Sequence, residues 1–161
     1  MHNILADLKP LVVVHRAMLS TFSWFFLSLS GRSSRQEFWL GYIGLTAVLA
    51  VLIRTLPNLV LPSGPFYYST RDELDLALQL PTTVALMIVV WPLIVIFVKR
   101  LHDFNASGWW LLAMVAIPPI SKATNINLVM LNIVVIAVLG LIPGTRGSNR
   151  FGVDPLVRAG I

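Results

Sequence analysis

The chain has 161 residues, of which 57% are hydrophobic and only 12% charged, with a mean hydropathy of +0.80. A soluble domain carries about 25% charged residues, so this chain cannot cover a water-facing surface, and lipid must be most of its solvent. Its net charge of +5 comes from cations scattered in small groups beside apolar runs. That is the pattern of membrane-flanking anchors and not the clustered basic face that a nucleic-acid binder needs. The absence of cysteine removes disulfides, thiolate nucleophiles and cysteine-ligated metal centres.

Residues 1–17 lack the basic start, apolar centre and small-residue cleavage site of a signal peptide. His15 and Arg16 interrupt the apolar run from Leu11 to Leu29. A charge at mid-bilayer costs about 3 kcal/mol, so the reading here is an interfacial helix, with Met18 as an alternative start. Phe22, Trp24, Phe25 and Phe26 suit an aromatic interface belt. Arg32 and Arg35 then precede the first span, Phe38 to Leu56, nineteen residues that reach roughly 28 Å against a hydrocarbon thickness of ~30 Å. Gly41 and Gly44, neighbours on one helical face, could admit a close helix contact.

Pro57, Pro62, Ser63, Gly64 and Pro65 mark turns. Thr70 to Glu73 is a capping-box pattern that opens an amphipathic segment, either lying on the membrane surface or leading through Pro81 into the second span. That span, Thr82 to Val98, contains Pro92, which removes an intrahelical hydrogen bond. A polar knot follows, KRLHDFNASGWW from Lys99 to Trp110, in which Ser107 suits a helix N-cap. The next apolar region, Trp109 to Ile142, is broken by SKATNIN, Ser121 to Asn127, which Pro118-Pro119 precede. Its first piece is about twelve residues, ~18 Å as an α-helix. It reads either as a short third span or as one arm of a re-entrant hairpin with the fourth, Ile126 to Ile142. Asn132, near the middle of that last piece, is read as an interhelical hydrogen-bonding residue. With four crossings and the N-terminus inside, nine Lys and Arg fall inside and three (Arg54, Arg71, Lys122) outside. With one crossing fewer, the bias nearly vanishes and Lys122 is stranded, so the positive-inside rule favours crossing twice or dipping in and returning. The tail, PGTRGSNRFGVDP from Pro143 to Pro155, is turn-rich.

Three motifs thus stand in order: GRSSRQEFW (Gly31 to Trp39), RLHDFNASGWW (Arg100 to Trp110) and PGTRGSNRFGVDP. Over about Phe22 to Pro155 they closely resemble the domain-of-unknown-function family 805 of small bacterial inner-membrane proteins. The resemblance implies an integral membrane protein whose biochemical role is not established. It assigns Arg32, Arg35, Glu37, Phe38 and Trp39 to the first motif. The second takes Arg100, Leu101, His102, Asp103 and Ser107 to Trp110. The third takes Gly144, Thr145, Gly147, Asn149 to Gly152, Asp154 and Pro155. Residues 1–17 extend beyond the family's usual start, and the insert at 121–127 lengthens a usually compact region.

The expectation is an all-α membrane bundle of about four embedded helices. Its domain is 18–155, with an extension at 1–17 and a tail at 156–161. It is multi-pass in the bacterial inner membrane, with a cytoplasmic C-terminus. The candidate polar cluster is Arg32, Arg35, Glu37, Arg100, His102, Asp103, Asn149, Arg150 and Asp154, with Trp39, Trp109 and Trp110 as interface aromatics. Such a cluster can clamp helix ends together, or hold an acidic lipid headgroup through arginine forks. His102 beside Asp103 suggests a general base, but no nucleophile is specified, and His2, His15 and His102 have no metal-ligand spacing. The reading is therefore a non-enzymatic scaffold or accessory subunit without cofactor or nucleic acid. Its partners are the lipid bilayer, acidic headgroups, and an unknown membrane protein or a second copy. The alternative is a small oligomeric transporter or channel component.

Overall fold

In a bilayer each backbone polar group must be satisfied within its own segment, which makes the helix the default for an apolar chain. The computed structural model describes residues 18–60 and 70–160. Every regular element among them is helical: α1 (Met18–Leu27), α2 (Arg35–Val60), α3 (Arg71–Asp103), a 3-10 helix (Gly108–Ala116), α4 (Ile117–Thr124), α5 (Leu128–Leu141) and α6 (Pro155–Arg158). α2 and α3 are each long and apolar enough to cross a membrane, and α1 and α5 are shorter apolar helices. The extension at 1–17 and the turn residues Pro62, Ser63, Gly64 and Pro65 lie outside the described residues.

Both long helices outrun the expected spans, and their caps explain why. The Ser34 hydroxyl accepts from the Glu37 amide at 3.2 Å, while the Glu37 carboxylate accepts from the Ser34 amide at 2.8 Å. This reciprocal capping box, written in the sequence as SRQE, starts α2 three residues before Phe38. At the other end α2 runs through Pro57. The Thr70–Glu73 capping box is present and starts α3. The amphipathic segment after it does not lie apart on the surface. It continues through Pro81 and Pro92 as one 33-residue helix, about 50 Å long.

α2 and α3 pack together and run antiparallel, because the start of α2 and the end of α3 meet at the same polar cluster. Phe38 and Leu45 of α2 join Val89 and Ile96 of α3 and Leu139 of α5 in the core. Ala85, Val89 and Ile96, buried on α3, recur at the four- and seven-residue spacing of one helical face. The two expected contact glycines part company. A Cβ on Gly41 would strike Ile96 of α3 and Phe25 of α1, so close approach needs glycine there, whereas Gly44 faces open space.

α1 docks on α3 through its own C-terminal end, where a helix leaves carbonyls unsatisfied. Buried Lys99 donates to the Trp24 and Phe25 carbonyls and lies 3.6 Å from the centre of the Trp24 ring. The Trp91 indole donates to the Leu27 carbonyl at 3.3 Å.

The segment after the polar knot differs from the expected α-helix. Gly108–Ala116 is nine residues of 3-10 helix, unusually long for that form, and rises about 2.0 Å per residue. Pro118 and Pro119 do not break the chain. They occupy the first turn of α4, where missing amides cost little. The break comes at Asn125, in the left-handed region at φ 55°, and Asn127 caps α5 by accepting from the Val129 amide at 2.8 Å. Asn132 donates to the Leu128 carbonyl of its own helix, not across to a neighbouring helix as the sequence reading has it.

Candidate functional site: an arginine clasp at one end of the bundle

Antiparallel packing brings the start of α2, the end of α3 and the end of α5 to one end of the bundle, each with orphan backbone groups. Two buried arginines gather these ends. Arg32, 1% exposed, donates from Nε and Nη2 to Asp103 Oδ1 at 3.1 and 2.9 Å. It also donates to the carbonyls of Gly147 and Thr145, each at 2.5 Å. Arg100, fully buried, donates to Asp103 Oδ2 at 2.5 Å and to the Ser33 carbonyl at 3.2 Å. Its remaining nitrogens reach the Leu139 and Ile142 carbonyls at 2.6 and 2.5 Å. A cation there complements the negative end of the α5 dipole. Every nitrogen of both guanidiniums is engaged, and one carboxylate bridges the pair.

The tail closes the end of α3 in the same way. Thr145 donates through its amide and its hydroxyl to the Asp103 carbonyl, both at 2.9 Å. Asn149 donates to the His102 carbonyl at 2.9 Å. Asp154 caps α6 by accepting from Leu156 at 3.0 Å and accepts from the Gly147 amide at 2.8 Å. These two amides, Leu156 first, hold its carboxyl below the usual carboxylate range. Its support for the tail is therefore present above that range and fades as acid protonates it.

The structure thus brings Arg32, Arg100, Asp103 and Asn149 together, with Asp154 bracing the loop behind them. The other candidates go elsewhere. Glu37 pairs with Arg158 at 2.6 Å. Arg35 is exposed and donates to the Leu141 carbonyl at 3.4 Å. Arg150 donates to the Asn105 carbonyl at 2.9 Å and lies over the Phe151 ring. His102 stacks on Phe151 at 3.8 Å, and its Nδ1 lies 3.1 Å from the Gly31 carbonyl. A carbonyl only accepts, so Nδ1 carries the proton. Both Asp103 oxygens are held by the arginines, so Asp103 does not orient His102. Trp39 donates to the Gly140 carbonyl at 3.2 Å, while Trp109 and Trp110 are exposed at the start of the 3-10 helix. Ser107 caps that helix. Among the described residues, no three His, Asp or Glu side chains gather as metal ligands would.

Lys99 and Arg158 escape the sequence reading. The first reads as one of two plain anchors, and the second falls in a segment set aside as tail. Arg158 also lies 4.4 Å from the Trp24 ring centre, tying α6 to α1. Its pair with Glu37 is about one-third exposed on each side, so its worth is modest. A double-mutant cycle on Glu37→Gln and Arg158→Gln should give a coupling below about 1 kcal/mol, weakened further by salt. Thermal unfolding in detergent reads it.

A model for proteins of unknown function (DUF805) matches residues 26–153. The inner membrane protein YhaI of Escherichia coli (strain K12) is 27% identical over 132 residues, covering 81% of this chain and 87% of the relative. The uncharacterized protein YiiR of the same organism is 27% identical over 144 residues, with the same two coverages. No solved structure matches the chain. The family match spans both long helices and all but the last residues of the clasp, and the chain belongs to the family of proteins of unknown function DUF805.

Proposed function

We propose that this chain is a multi-pass inner-membrane scaffold or accessory subunit, non-enzymatic, whose clasp holds the C-terminal tail as a fixed platform on the cytoplasmic face. The observation that carries this reading is the saturation of Arg32 and Arg100 by internal acceptors. Charges so engaged, with every nitrogen bonded internally, serve to hold a structure together. The likeness to an inner membrane protein supports the location. Segment lengths support four membrane-embedded passages. The 3-10 helix and α4 together have a contour of roughly 30 Å, close to the hydrocarbon thickness, so seventeen residues suffice for the outward passage and α5 returns to the clasp.

A small oligomeric transporter fits less well. A pathway for a polar solute needs polar walls, whereas the cavity between the 3-10 helix and α5, about 290 Å³, is walled by Leu101, Met114, Ile117, Val135 and Leu139. A fluorescent reporter fused after Ile161 should light up in the cytoplasm, and strong activity of a periplasm-dependent alkaline phosphatase at the same place would sink the four-passage topology. Mild-detergent purification should yield a homo-oligomer or a stoichiometric complex with another membrane protein. A monodisperse monomer carrying no protein partner would overturn the scaffold reading.

A further inference from the structure

The geometry points to a binding site for one acidic phospholipid beside the clasp, with its headgroup at Arg35 and Arg146 and one acyl chain along α2. The inference rests on two cavities that share Arg35. One, about 200 Å³, lies over the clasp and is lined among others by Ser34, Arg35, Arg100, Arg146 and Asp154. The other, about 810 Å³, is a groove running from Arg35 and Gln36 past Leu40, Ile43 and Gly44, with Leu141 opposite. Charged side chains are among the walls of the first, while the second is apolar along its walls beyond Arg35 and Gln36. Arg35 stands where they meet, so together they have the two-part chemistry of a phospholipid.

Charge selects the headgroup. The polar cavity carries Arg35, Arg100 and Arg146 against Asp103 and Asp154. Asp103 is already shared with buried Arg32, and Asp154 is occupied by two backbone amides. The mouth therefore holds excess positive charge. Unlike the clasp arginines, Arg35 is exposed and makes one long hydrogen bond, 3.4 Å to the Leu141 carbonyl. Arg146 is exposed too. An arginine with open N–H groups at a membrane boundary holds phosphate bidentately, and basic pockets between membrane helices take anionic headgroups. Shape selects the chain. Gly44 contributes no Cβ to the groove, and a Cβ there would meet nothing within 4 Å, so that stretch of α2 leaves open space where an acyl chain would lie.

The site borders the clasp but binds through Arg35 and Arg146, which are not part of it, and it rests on the membrane reading proposed above but not on the direction of the tail, so the reporter experiment fails or succeeds independently of it. The full chain, purified in mild detergent, is titrated with dioleoyl-phosphatidylglycerol or dioleoyl-phosphatidylcholine and bound lipid is counted by native mass spectrometry. Wild type should retain one phosphatidylglycerol with at least tenfold preference over phosphatidylcholine. The paired change Arg35→Gln with Arg146→Gln should erase that preference, and Gly44→Phe should lower retention of both lipids by filling the groove. All three positions are exposed, and the melting temperature without lipid should stay at the wild-type value. Arg54→Gln, which changes a cation elsewhere on α2, should leave the preference intact. Equal retention of the two lipids by wild type would overturn the site, as would wild-type binding by the variants. Competition by millimolar inorganic phosphate would also overturn it, because that marks a free anion pocket with no role for the groove.

Discussion

Asp103→Asn should be the most damaging conservative substitution in the chain, lowering stability in detergent by about 3–5 kcal/mol, the cost of leaving a buried charge without its partner. The change keeps the shape of the side chain but removes its charge and turns one acceptor into a donor. Asp103 now receives Arg32 on one oxygen and Arg100 on the other. An amide could satisfy one guanidinium through its oxygen, and its NH₂ would then face the other, donor against donor. Neither arginine can turn away to water, since both are buried and fixed by backbone carbonyls. Thermal unfolding followed by tryptophan fluorescence reads the loss, with Glu37→Gln as a comparison of the same chemistry at a half-exposed site. A stability for Asp103→Asn within about 1 kcal/mol of wild type would mean that the carbonyls alone neutralise the arginines and that the clasp does not depend on its carboxylate.

The second large effect is expected at Gly144. A Cβ built there would fall on the Asp103 carboxylate, which two arginines hold in place, so the backbone of the tail must give way instead. Overpacking of this kind costs about 1–3 kcal/mol. Here the strain should appear as release of the tail, because Thr145, immediately next, carries the bonds to the end of α3. In Gly144→Ala, limited trypsin digestion should cut at Arg146, Arg150 and Arg158 several-fold faster than in wild type. Gly44→Ala is the control, since its new methyl group meets nothing. Equal digestion rates for Gly144→Ala and wild type would show that the tail tolerates the shift without leaving its seat.

What could be read in advance follows from how each feature is encoded. The two long helices were legible because lipid demands apolar residues over some twenty consecutive positions, and both runs stand out. Their ends were not, because a cap outweighs hydropathy there. SRQE at Ser34 to Glu37 carried the same capping-box signal as Thr70 to Glu73 but sat hidden inside a motif read for its charges. The 3-10 helix was illegible because Gly108–Ala116 is apolar almost throughout, and a uniformly apolar segment has no phase from which to read a period. At the clasp, the meeting of Arg32 with Asp103 followed from alternating spans that return their polar ends to one side. The individual partners did not follow. Arg100, Arg150 and Arg35 each donate to a backbone carbonyl, those of Leu139, Asn105 and Leu141, and every residue offers the same carbonyl, so side-chain identity cannot select among them. Glu37 meets Arg158 where α6 comes against the Trp24 ring of α1, a contact between residues 121 positions apart that no local pattern encodes.

The bonds of Arg32 also set an order of events during synthesis. Its counter-charge, Asp103, lies 71 residues later in the chain, and its acceptors at Thr145, Gly147 and Gly152 lie 113, 115 and 120 residues later. At ~5–20 residues per second, a ribosome needs roughly 6 to 24 s to supply the last of them. α2 is made well before Asp103, the counter-charge of the arginine at its threshold, and that carboxylate in turn precedes the tail carbonyls that complete the set. Because the closing partners come from the end of the chain, the bundle locks only when the tail arrives. A polypeptide interrupted before Thr145 already holds every acceptor of Arg100, which are Ser33, Asp103, Leu139 and Ile142, but leaves Arg32 with Asp103 alone, so its greasy helices are made before its latch is complete.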